Sequence, residues 1–478
     1  MAGSARFTEK KMLTFVRPPE SAVAATVDSL QKSYGERAVT THAVREHHSH
    51  GEGMRDAGLP DVVVFPETNE EIASILKLCN AARIPVIAYG TGTSLEGHLK
   101  AIYGGVCLDL SRMTKVLEIN AEDLDCRVQA GVTREQLNAD IRHTGLFFPI
   151  DPGANASIGG MSATRASGTN AVRYGTMREN VLGLTVITPD GRIIKTGTRA
   201  KKSSAGYDLT RLYIGSEGTL GIITEIQLKL YGVPERISAA VCQFDDLHGA
   251  VNTVIMAMQM GIPMARIELL DDVQMQACIK YSKLEDMDPK PTLFMEFHGT
   301  DAYVAEQIEQ MKAITADHGG GEYRFADKQE DRSKLWKARH DVYWAGMNFV
   351  PGKEAFATDT CVPISRLADC ITEAKRISDA SGLICMIVGH VGDGNFHVQI
   401  TFDPNNPVER ARADDAAKQI ALVAISMGGT CTGEHGIGIH KLDALKAEHG
   451  EGVDLMRTIK KALDPNNIMN PGKTIPMQ

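Results

Sequence analysis

The chain has 478 residues and a formal net charge of −9, with 43% hydrophobic and 23% charged residues. This length leaves room for roughly two to four domains, and the composition is that of an ordinary folded protein. The negative charge disfavours a nucleic-acid binder, and no apolar run approaches the roughly 20 residues of a membrane-spanning helix. Residues 1–18 lack the apolar stretch of a secretory signal, so none is expected.

Cysteine usage excludes two further classes of protein. The chain has nine cysteines, an odd number, and no CxxC pair. Several of them lie within apolar runs, which predicts reduced and buried thiols in a reducing compartment. A disulfide scaffold and a zinc ribbon are therefore excluded.

Residues 1–56 are predicted to form a helical segment that packs on the next domain. Its helix is the amphipathic stretch Ala22–Tyr34. His47, His48 and His50 then form a histidine-rich tract. We interpret this tract as a solvent-exposed loop, with a metal site as the alternative.

A first domain is predicted over residues 57–235. Val62–Phe65 and Pro85–Tyr89 have the apolar pattern of buried strands, and between them Thr68 is placed to cap a helix. This is a β–α–β unit. Further strands are predicted at Val106–Leu110, Val116–Ile119, Cys126–Val132 and Val181–Ile187.

Three glycine-rich tracts lie in this domain. The first, the loop 90–94, follows the second predicted strand and matches neither a Rossmann fingerprint nor a P-loop. Its backbone N–H groups and hydroxyls suit a pyrophosphate, and a plain tight turn is the alternative. The others are Gly153–Gly175 and Gly215–Gly221. Three tracts together favour an extended ligand that lies against the backbone.

A second, α/β domain is predicted over residues 236–440. Ala239–Phe244, Arg266–Leu270 and Thr292–His298 have strand patterns that alternate with helical ones. Residues 441–478 are predicted to form a helical C-terminal segment that returns to the first domain.

A histidine pair in this second domain predicts a metal site. Asp393-Gly394 between two apolar β runs predicts a two-residue type I′ turn, which places His390 opposite His397. Their Cβ atoms would lie roughly 4.5–5.5 Å apart, close enough to share one metal ion. Glu434, in a small-residue loop, would complete a His₂Glu set with open positions. Two unrelated histidines are the alternative.

The order of these motifs resembles the FAD-linked D-lactate dehydrogenase and glycolate oxidase branch of the vanillyl-alcohol-oxidase-like flavoproteins. The resemblance runs from Pro60 to Lys473 and rests on the three glycine tracts and the strings at 389–397 and 433–438. It implies an α+β fold: a two-part PCMH-type FAD-binding domain, an α/β substrate (cap) domain and a short helical C-terminal segment. One departure is Arg165, where relatives usually carry Asn.

The resemblance implies noncovalently bound FAD, with the pyrophosphate on the first tract and the flavin and adenine portions along the other two. A covalent link through His98 is the less favoured alternative. The residues implied to bind FAD are Gly90, Thr91, Gly92, Thr93, Ser94, Pro152, Gly153, Ser157, Gly160, Ala163, Thr164, Ser167, Gly168, Tyr174, Gly175, Glu217, Gly218, Ile222, Ile223 and Asn470.

In the same family the two histidines and the glutamate bind one divalent metal ion, zinc or manganese, and the adjacent histidine is the base. This implies His390, His397 and Glu434 as ligands and His435 as the catalytic base. An imidazole suits that task near neutral pH. For the adjacent pair Glu434 and His435, the alternatives are that both are metal ligands, or that Glu434 is a ligand and His435 an ordinary loop histidine.

Substrate residues are predicted on a helix near residue 340. Arg339 and Tyr343 lie one turn apart, and relatives place an Arg here to bind the substrate carboxylate; a surface arginine is the alternative. Trp344 and Met347 would wall the far end of the pocket. Ala357 stands where relatives acting on 2-hydroxyglutarate carry Lys, although Lys353 is nearby. An uncharged far end suits lactate or a longer apolar D-2-hydroxy acid.

The implied function is FAD- and metal-dependent oxidation of D-lactate, or a related D-2-hydroxy acid, to the 2-oxo acid, pyruvate for lactate. The hydroxyl proton would be removed and hydride would pass from C2 to the flavin. Electrons would leave to cytochrome c, a quinone or an electron-transfer flavoprotein, because no NAD motif is evident. A glycolate or D-2-hydroxyglutarate dehydrogenase and a flavin-binding subunit without its own turnover are the alternatives.

The expected location is the bacterial cytoplasm, with peripheral contact to the inner membrane, or mitochondria if a presequence has been removed. A homodimer is left open.

Overall fold

The computed structural model describes residues 15–53, 58–284 and 287–477. The expectation about a secretory signal falls mostly on residues outside these ranges. The N-terminal segment contains α1 (Glu20–Tyr34), β1 (Ala38–Val39) and α2 (His42–His47). As its pattern predicts, α1 packs Val23 and Leu30 into the adjoining core. Among the described helices, none combines the length and hydropathy that crossing a bilayer requires.

The predicted exposed histidine loop is wrong for His48, which is 4% exposed. Its Nδ1 lies 2.7 Å from the carbonyl oxygen of Val44, and its Nε2 lies 2.8 Å from Oδ2 of Asp109. A buried carboxylate from a distant strand satisfies this imidazole, and no local pattern reveals that partner.

Residues 60–235, together with β1, build a four-stranded sheet, a five-stranded antiparallel sheet and a two-stranded sheet around one core. The strands are β2 (Val62–Val64), β3 (Val86–Tyr89), β4 (Val106–Asp109), β5 (Val116–Asn120), β6 (Asp125–Gln129), β7 (Leu146–Phe147), β8 (Val181–Ile187), β9 (Ile193–Lys195), β10 (Ile222–Lys229) and β11 (Tyr231–Gly232). The helices are α3 (Asn69–Ala82), α4 (Arg134–Ile141), α5 (Ile158–Thr164), α6 (Ala171–Tyr174), α7 (Met177–Asn180) and α8 (Leu209–Tyr213).

The predicted β–α–β unit is confirmed, with an additional strand inside its sheet. The Thr68 hydroxyl accepts a hydrogen bond from the Glu71 amide at 3.2 Å and so caps α3. β4 lies between β2 and β3 and pairs with both in parallel. The first glycine tract therefore leaves the carboxyl end of a parallel strand, where open sheets of this kind bind ligands.

The second and third glycine tracts lie side by side. The second begins α5, and the third precedes β10 in the antiparallel sheet of order β5-β6-β10-β8-β9. The amides of Gly215 and Glu217 donate to the carbonyl oxygens of Ser162 and Ala163 at 3.0 and 2.9 Å. These bonds bring the backbones of both tracts to one surface.

Residues 236–426 build an eight-stranded antiparallel sheet, in the order β15-β12-β14-β13-β18-β19-β16 with β17 paired to β19. Its strands are β12 (Arg236–Gln243), β13 (Arg266–Leu270), β14 (Thr292–Gly299), β15 (Arg324–Ala326), β16 (Glu354–Ala357), β17 (Thr360–Cys361), β18 (Cys385–Gly389) and β19 (Asn395–Phe402). The helices are α9 (Leu247–Gln259), α10 (Asp272–Ser282), α11 (Asp301–Asp317), α12 (Gln329–His340), α13 (Val342–Met347), α14 (Leu367–Ser381) and α15 (Pro407–Ser426).

Strand alternation sends the polar side chains of this sheet towards α12 and α13. In β19, Phe396 and Val398 pack in the core beneath α9, α11, α14 and α15, so His397 faces the opposite side. In β13, Leu269 packs in the same core, so Glu268 shares the face of His397.

The β18–β19 hairpin differs from the predicted two-residue turn. Val388, rather than His390, is paired with His397. A type I′ turn needs positive φ at both central residues, but of Asp393 and Gly394 only the glycine has it, at 78°. The register is shifted by two residues, which keeps both histidines on one face because side chains alternate with period two.

The C-terminal helices α16 (Leu442–His449) and α17 (Gly452–Leu463) lead the chain back to the first sheet. The Val86 amide donates to the carbonyl oxygen of Ile468 at 2.8 Å, and the Asn470 amide donates to that of Val86 at 2.9 Å. This places Asn470 beside β3, which leads into the first glycine tract.

Candidate active site

A cavity of about 540 Å³ lies between the glycine tracts and the α12–α13 side of the eight-stranded sheet. The predicted ligands, base and substrate residues His390, His397, Glu434, His435, Arg339, Tyr343 and Trp344 all line it. Fifteen predicted FAD-binding residues do so too: Gly90, Thr91, Gly92, Thr93, Ser94, Pro152, Gly153, Ser157, Gly160, Ala163, Thr164, Glu217, Gly218, Ile223 and Asn470.

Ser167, Gly168, Tyr174, Gly175 and Ile222 lie outside the cavity lining, so their predicted contact with FAD is not supported. The Tyr174 hydroxyl instead shares a 2.9 Å hydrogen bond with Nδ1 of His298. Ile222 begins β10 and is buried in the core of the first sheets.

The first two tracts approach each other as closely as glycine allows. A Cβ on Gly90 would lie 2.3 Å from Oγ of Ser157, and Gly92 has a positive φ of 76°. Beside them, Oγ of Ser94 is buried without a hydrogen-bond partner among the described residues. An orphaned hydroxyl at a glycine loop of the cavity fits the phosphates of FAD.

Glu217 lines the cavity and also makes structural contacts that were not predicted. Its carboxylate accepts the amides of Ile437 and Gly438 at 2.7 and 2.9 Å and the Thr474 hydroxyl at 2.7 Å. It also lies 3.0 Å from Nε2 of His98, a cavity residue whose ring therefore faces a carboxylate. Glu217 thus ties the third glycine tract to the loop that carries Glu434 and His435.

The three predicted metal ligands meet at one point of the cavity wall. Nε2 of His390 and Nε2 of His397 lie 3.1 and 3.4 Å from the same oxygen, Oε1 of Glu434. Tetrahedral bonds of about 2.0–2.1 Å would separate neighbouring ligand atoms by roughly 3.4 Å. Nδ1 of His397 is 3.0 Å from the carbonyl oxygen of Thr358, which leaves Nε2 free to coordinate. The residues present therefore fit a divalent metal ion.

The ionisation of Glu434 also fits the role of a metal ligand. Burial by itself raises the pKa of Glu434, but the charge and hydrogen bond of His390 and the hydrogen bond of His397 outweigh it and lower the pKa. The carboxylate therefore stays ionised, as a metal ligand must.

Asp359 positions the loop that carries Glu434 and His435, and sequence reasoning missed it. Its Oδ2 accepts the amides of Glu434 and His435 at 2.9 and 2.8 Å and the Thr432 hydroxyl at 2.7 Å. The His435 ring stacks on that of His397, with centroids 4.9 Å apart. The predicted base thus lies directly beside the predicted metal ligands.

Glu96 and Lys441 lie behind His435 and were also missed. Oε1 of Glu96 is 2.8 Å from Nζ of Lys441 and 3.5 Å from Nδ1 of His435. Burial by itself lowers the pKa of His435, but Asp359 and Glu96 outweigh it and raise the pKa. Because Nδ1 is buried towards Glu96, Nε2 is the ring nitrogen available on the cavity side.

Arg339 lines the cavity, but the predicted single helix is wrong. α12 ends at His340 and α13 begins at Val342, so Arg339 and Tyr343 lie on separate helices. Nη2 of Arg339 donates to the buried carboxylate of Glu268, while Nε is buried without a partner among the described residues. That nitrogen is a buried, unsatisfied donor of a residue that lines the cavity.

Aromatic rings close one end of the cavity. Tyr343 and Trp344 pack edge to face, with centroids 5.3 Å apart. Met347, predicted beside them, is not part of the lining. Gln399, which was not predicted, lines the same region and donates to the carbonyl oxygen of Tyr343 at 3.1 Å.

The cavity carries no lysine among its described lining residues. Ala357 lines it, as predicted. Nζ of Lys353 instead lies 2.8 Å from the carboxylate of Glu409 and so is held away from the cavity. Ala357 itself adds no charge to the lining.

Arg165, the departure from the family pattern, ends α5 in the left-handed conformation with φ of 59°. Asn tolerates this conformation better than Arg. Nη2 of Arg165 donates to the carbonyl oxygen of Ile214 at 3.2 Å, and the residue does not line the cavity.

Two family descriptions match the chain: "FAD binding domain" over residues 60–197 and "FAD linked oxidases, C-terminal domain" over residues 233–474. The chain is 48% identical to the probable mitochondrial D-lactate dehydrogenase of Danio rerio, over 95% of this chain and 92% of that protein. It is 47% identical to the mitochondrial D-lactate dehydrogenase [cytochrome] of Arabidopsis thaliana, over 94% and 78%. It is 34% identical to glycolate oxidase subunit GlcD of Bacillus subtilis, over 93% and 95%.

Solved structures share the fold at low identity. p-Cresol methylhydroxylase with substrate bound matches with a TM-score of 0.79 and 18% identity, over 96% of this chain and 97% of that one. Alkyldihydroxyacetonephosphate synthase matches with a TM-score of 0.74 and 19% identity, over 93% and 84%. The predicted α+β architecture with a PCMH-type FAD-binding domain is confirmed.

Proposed function

The chain belongs to the FAD-linked oxidases, and we propose that it oxidises D-lactate, or a D-2-hydroxy acid of similar size, to the 2-oxo acid. It is an FAD-dependent oxidoreductase of the D-lactate dehydrogenase branch. The observation that carries the proposal is the convergence of His390, His397, Glu434 and His435 on the wall of the glycine-lined cavity. The names of the relatives from Danio rerio and Arabidopsis thaliana support lactate as the substrate.

His435 is proposed to take the proton of the substrate hydroxyl on Nε2. When bound, FAD supplies the hydride acceptor, and a divalent ion held by the His₂Glu set supplies Lewis-acid chemistry at the hydroxyl oxygen. Asp359 holds the backbone of His435, and Glu96 faces its Nδ1, so the ring is oriented from behind. His435 would thus act as a general base whose position is fixed by the carboxylates of Asp359 and Glu96.

Arg339 is proposed to bind the substrate carboxylate through the nitrogens that Glu268 leaves free. We expect Arg339→Met to raise the KM for D-lactate at least roughly 30-fold, about 2 kcal/mol, because a buried charge-assisted contact is lost. Steady-state kinetics measure this, with Arg332→Met as the control. Arg332 lies on the same helix and donates to the carbonyl oxygen of Ile237 without lining the cavity. An unchanged KM in Arg339→Met contradicts the clamp.

Ala357 is proposed to exclude substrates with a second carboxylate. We expect Ala357→Lys to raise kcat/KM for D-2-hydroxyglutarate relative to D-lactate by about tenfold or more, because the new cation faces the far end of the cavity. Ala357→Met controls for size and should lower kcat/KM for both substrates without changing their ratio. If the kcat/KM ratio in Ala357→Lys stays at the wild-type value, Ala357 does not face the end of the substrate that is distant from C2.

The proposed function is tested by following the visible flavin absorbance of the purified protein under argon. We expect D-lactate to bleach it rapidly, and L-lactate, glycolate and D-2-hydroxyglutarate to do so slowly or not at all. Faster bleaching by glycolate or D-2-hydroxyglutarate would reassign the substrate. An unchanged spectrum with every 2-hydroxy acid would favour a flavin-binding subunit without turnover.

The electron acceptor is proposed to be a cytochrome. Relatives from Arabidopsis thaliana and Saccharomyces cerevisiae carry that acceptor in their names, which supports the proposal. Cytochrome c added to the bleached protein should restore the flavin absorbance under argon, and a quinone analogue is the comparison.

A further inference from the structure

A single buried carboxylate joins the predicted metal site to the predicted substrate clamp. Glu268 is 1% exposed and lies on β13, on the face of the sheet that it shares with His397. Both of its carboxylate oxygens lie 2.9 Å from Nδ1 of His390, and Oε2 also accepts Nη2 of Arg339. Glu268 does not line the cavity, so it acts on the site only through these two neighbours.

The contact with His390 decides which ring nitrogen carries the proton. An imidazole coordinates a metal through the nitrogen that has no hydrogen. A carboxylate at Nδ1 holds a hydrogen there, so that Nε2, which lies 3.1 Å from Oε1 of Glu434, is the nitrogen that gives up its hydrogen to coordinate a metal ion. Without Glu268, the tautomer with its hydrogen on Nε2 would compete, and the ring would lose its orientation.

The contact with Arg339 decides how the guanidinium is presented. One edge is held by Glu268, and Nε stays buried without a partner among the described residues. A guanidinium has planar, rigidly arranged donors, so fixing one of them directs the others. The negative charge of Glu268 also offsets the cost of burying the Arg339 cation.

We propose that Glu268 is a positioning residue that orients both the metal ligand His390 and the carboxylate clamp Arg339. Through Glu268, the group that acts at the substrate's hydroxyl end and the group that binds its carboxylate end keep a fixed position relative to each other. The claim that Glu268 orients Arg339 for the substrate rests on the proposed function. The claim that Glu268 orients His390 for a metal ion rests on the contact between these two side chains.

A neighbouring strand supplies a matched control. Glu296 on β14 is 5% exposed, lies 2.8 Å from Nε2 of His298 and lies 3.6 Å from Nη1 of Arg266. It is thus a second buried carboxylate between a histidine and an arginine, and none of these three residues lines the cavity. If Mn²⁺ affinity falls merely because a buried carboxylate has been removed, Glu296→Gln should lose as much affinity as Glu268→Gln.

The test compares FAD-loaded full-length wild type, Glu268→Gln and Glu296→Gln. The affinity for Mn²⁺, titrated by electron paramagnetic resonance without substrate, should fall about 10- to 100-fold in Glu268→Gln only. The KM for D-lactate should rise about tenfold in Glu268→Gln, and the double variant with Arg339→Met should be little worse than Arg339→Met alone, because the two side chains act as one unit. FAD content should stay equal in all three proteins.

Several results would overturn the inference. One is a wild-type Mn²⁺ affinity in Glu268→Gln. Another is an equal loss of Mn²⁺ affinity in Glu296→Gln. A third is that the effects of Glu268→Gln and Arg339→Met on the KM for D-lactate are fully additive. If Glu268→Gln fails to bind FAD, Glu268→Asp replaces it, because the shorter side chain keeps the charge but cannot reach both neighbours. An intact Mn²⁺ affinity and KM in that variant would equally overturn the inference. If wild type does not oxidise D-lactate, the proposed function fails, whereas the Mn²⁺ titration still decides the role of Glu268.

Discussion

His435→Ala is expected to lower the rate of flavin reduction by D-lactate about 10³-fold, because general base catalysis typically contributes 10²- to 10⁴-fold. The ring stacks on the ligand His397, and its Nε2 is the nitrogen on the cavity side. Alanine removes the proton acceptor and leaves the loop in place, since Asp359 holds the backbone amide of residue 435. FAD should therefore remain bound.

Anaerobic stopped-flow measurement of the flavin absorbance checks this prediction. His449→Ala is the control, because that ring is 42% exposed at the end of α16 and lies outside the cavity lining. The flavin of His449→Ala should be reduced by D-lactate at the wild-type rate. Rapid reduction in His435→Ala would remove this residue as the base, and loss of FAD would show that the substitution damages the cavity itself.

Glu434→Gln is expected to lower metal affinity about 100-fold and to abolish turnover. The two imidazoles are neutral ligands, so Glu434 is the charged member of the set, and both Nε2 atoms face the same oxygen of its carboxylate. The amide keeps the size of the side chain but removes its negative charge. Metal analysis after dialysis, together with D-lactate kinetics, measures both effects.

Glu409→Gln is the control for Glu434→Gln, because that carboxylate pairs with Lys353 outside the cavity. It should keep the wild-type metal content and rate. Stoichiometric metal with an unchanged rate in Glu434→Gln would contradict the assigned ligand set.

Local patterns predicted most of the elements near the cofactor. The capping threonine at 68 and the apolar runs on both sides of α3 are local signals, and both strands appear close to their predicted bounds. β4 could not be placed between β2 and β3, because strand order depends on contacts between residues distant in the chain. The glycine tracts line the cavity, and glycine permits close approach of other groups at positions such as Gly90, where a Cβ would lie 2.3 Å from Oγ of Ser157.

The proposed metal ligands were predicted for a reason that was partly wrong. The two-residue turn would have placed His390 directly opposite His397, whereas the observed loop shifts the register by two. The prediction of a shared face survives because an even shift preserves the face of a strand. A shift of one residue would have separated the two imidazoles.

The residues that orient the site were missed because they are distant in sequence from what they hold. Glu268 is 122 positions from His390, and Asp359 is 76 positions from His435. Each appears in the sequence as a single acid within a strand or loop. A glutamate between the apolar residues Ile267 and Leu269 of β13 is the signal that could have indicated Glu268, because buried carboxylates need partners.

The central claim is that His390, His397 and Glu434 hold a divalent ion without which the cavity cannot oxidise a D-2-hydroxy acid. The most direct measurement follows the flavin absorbance under argon after the protein has been dialysed against a chelator until it keeps FAD but no detectable metal. D-lactate should then leave the absorbance unchanged, and added Mn²⁺ or Zn²⁺ should restore bleaching. Rapid bleaching of the metal-free protein would contradict the claim.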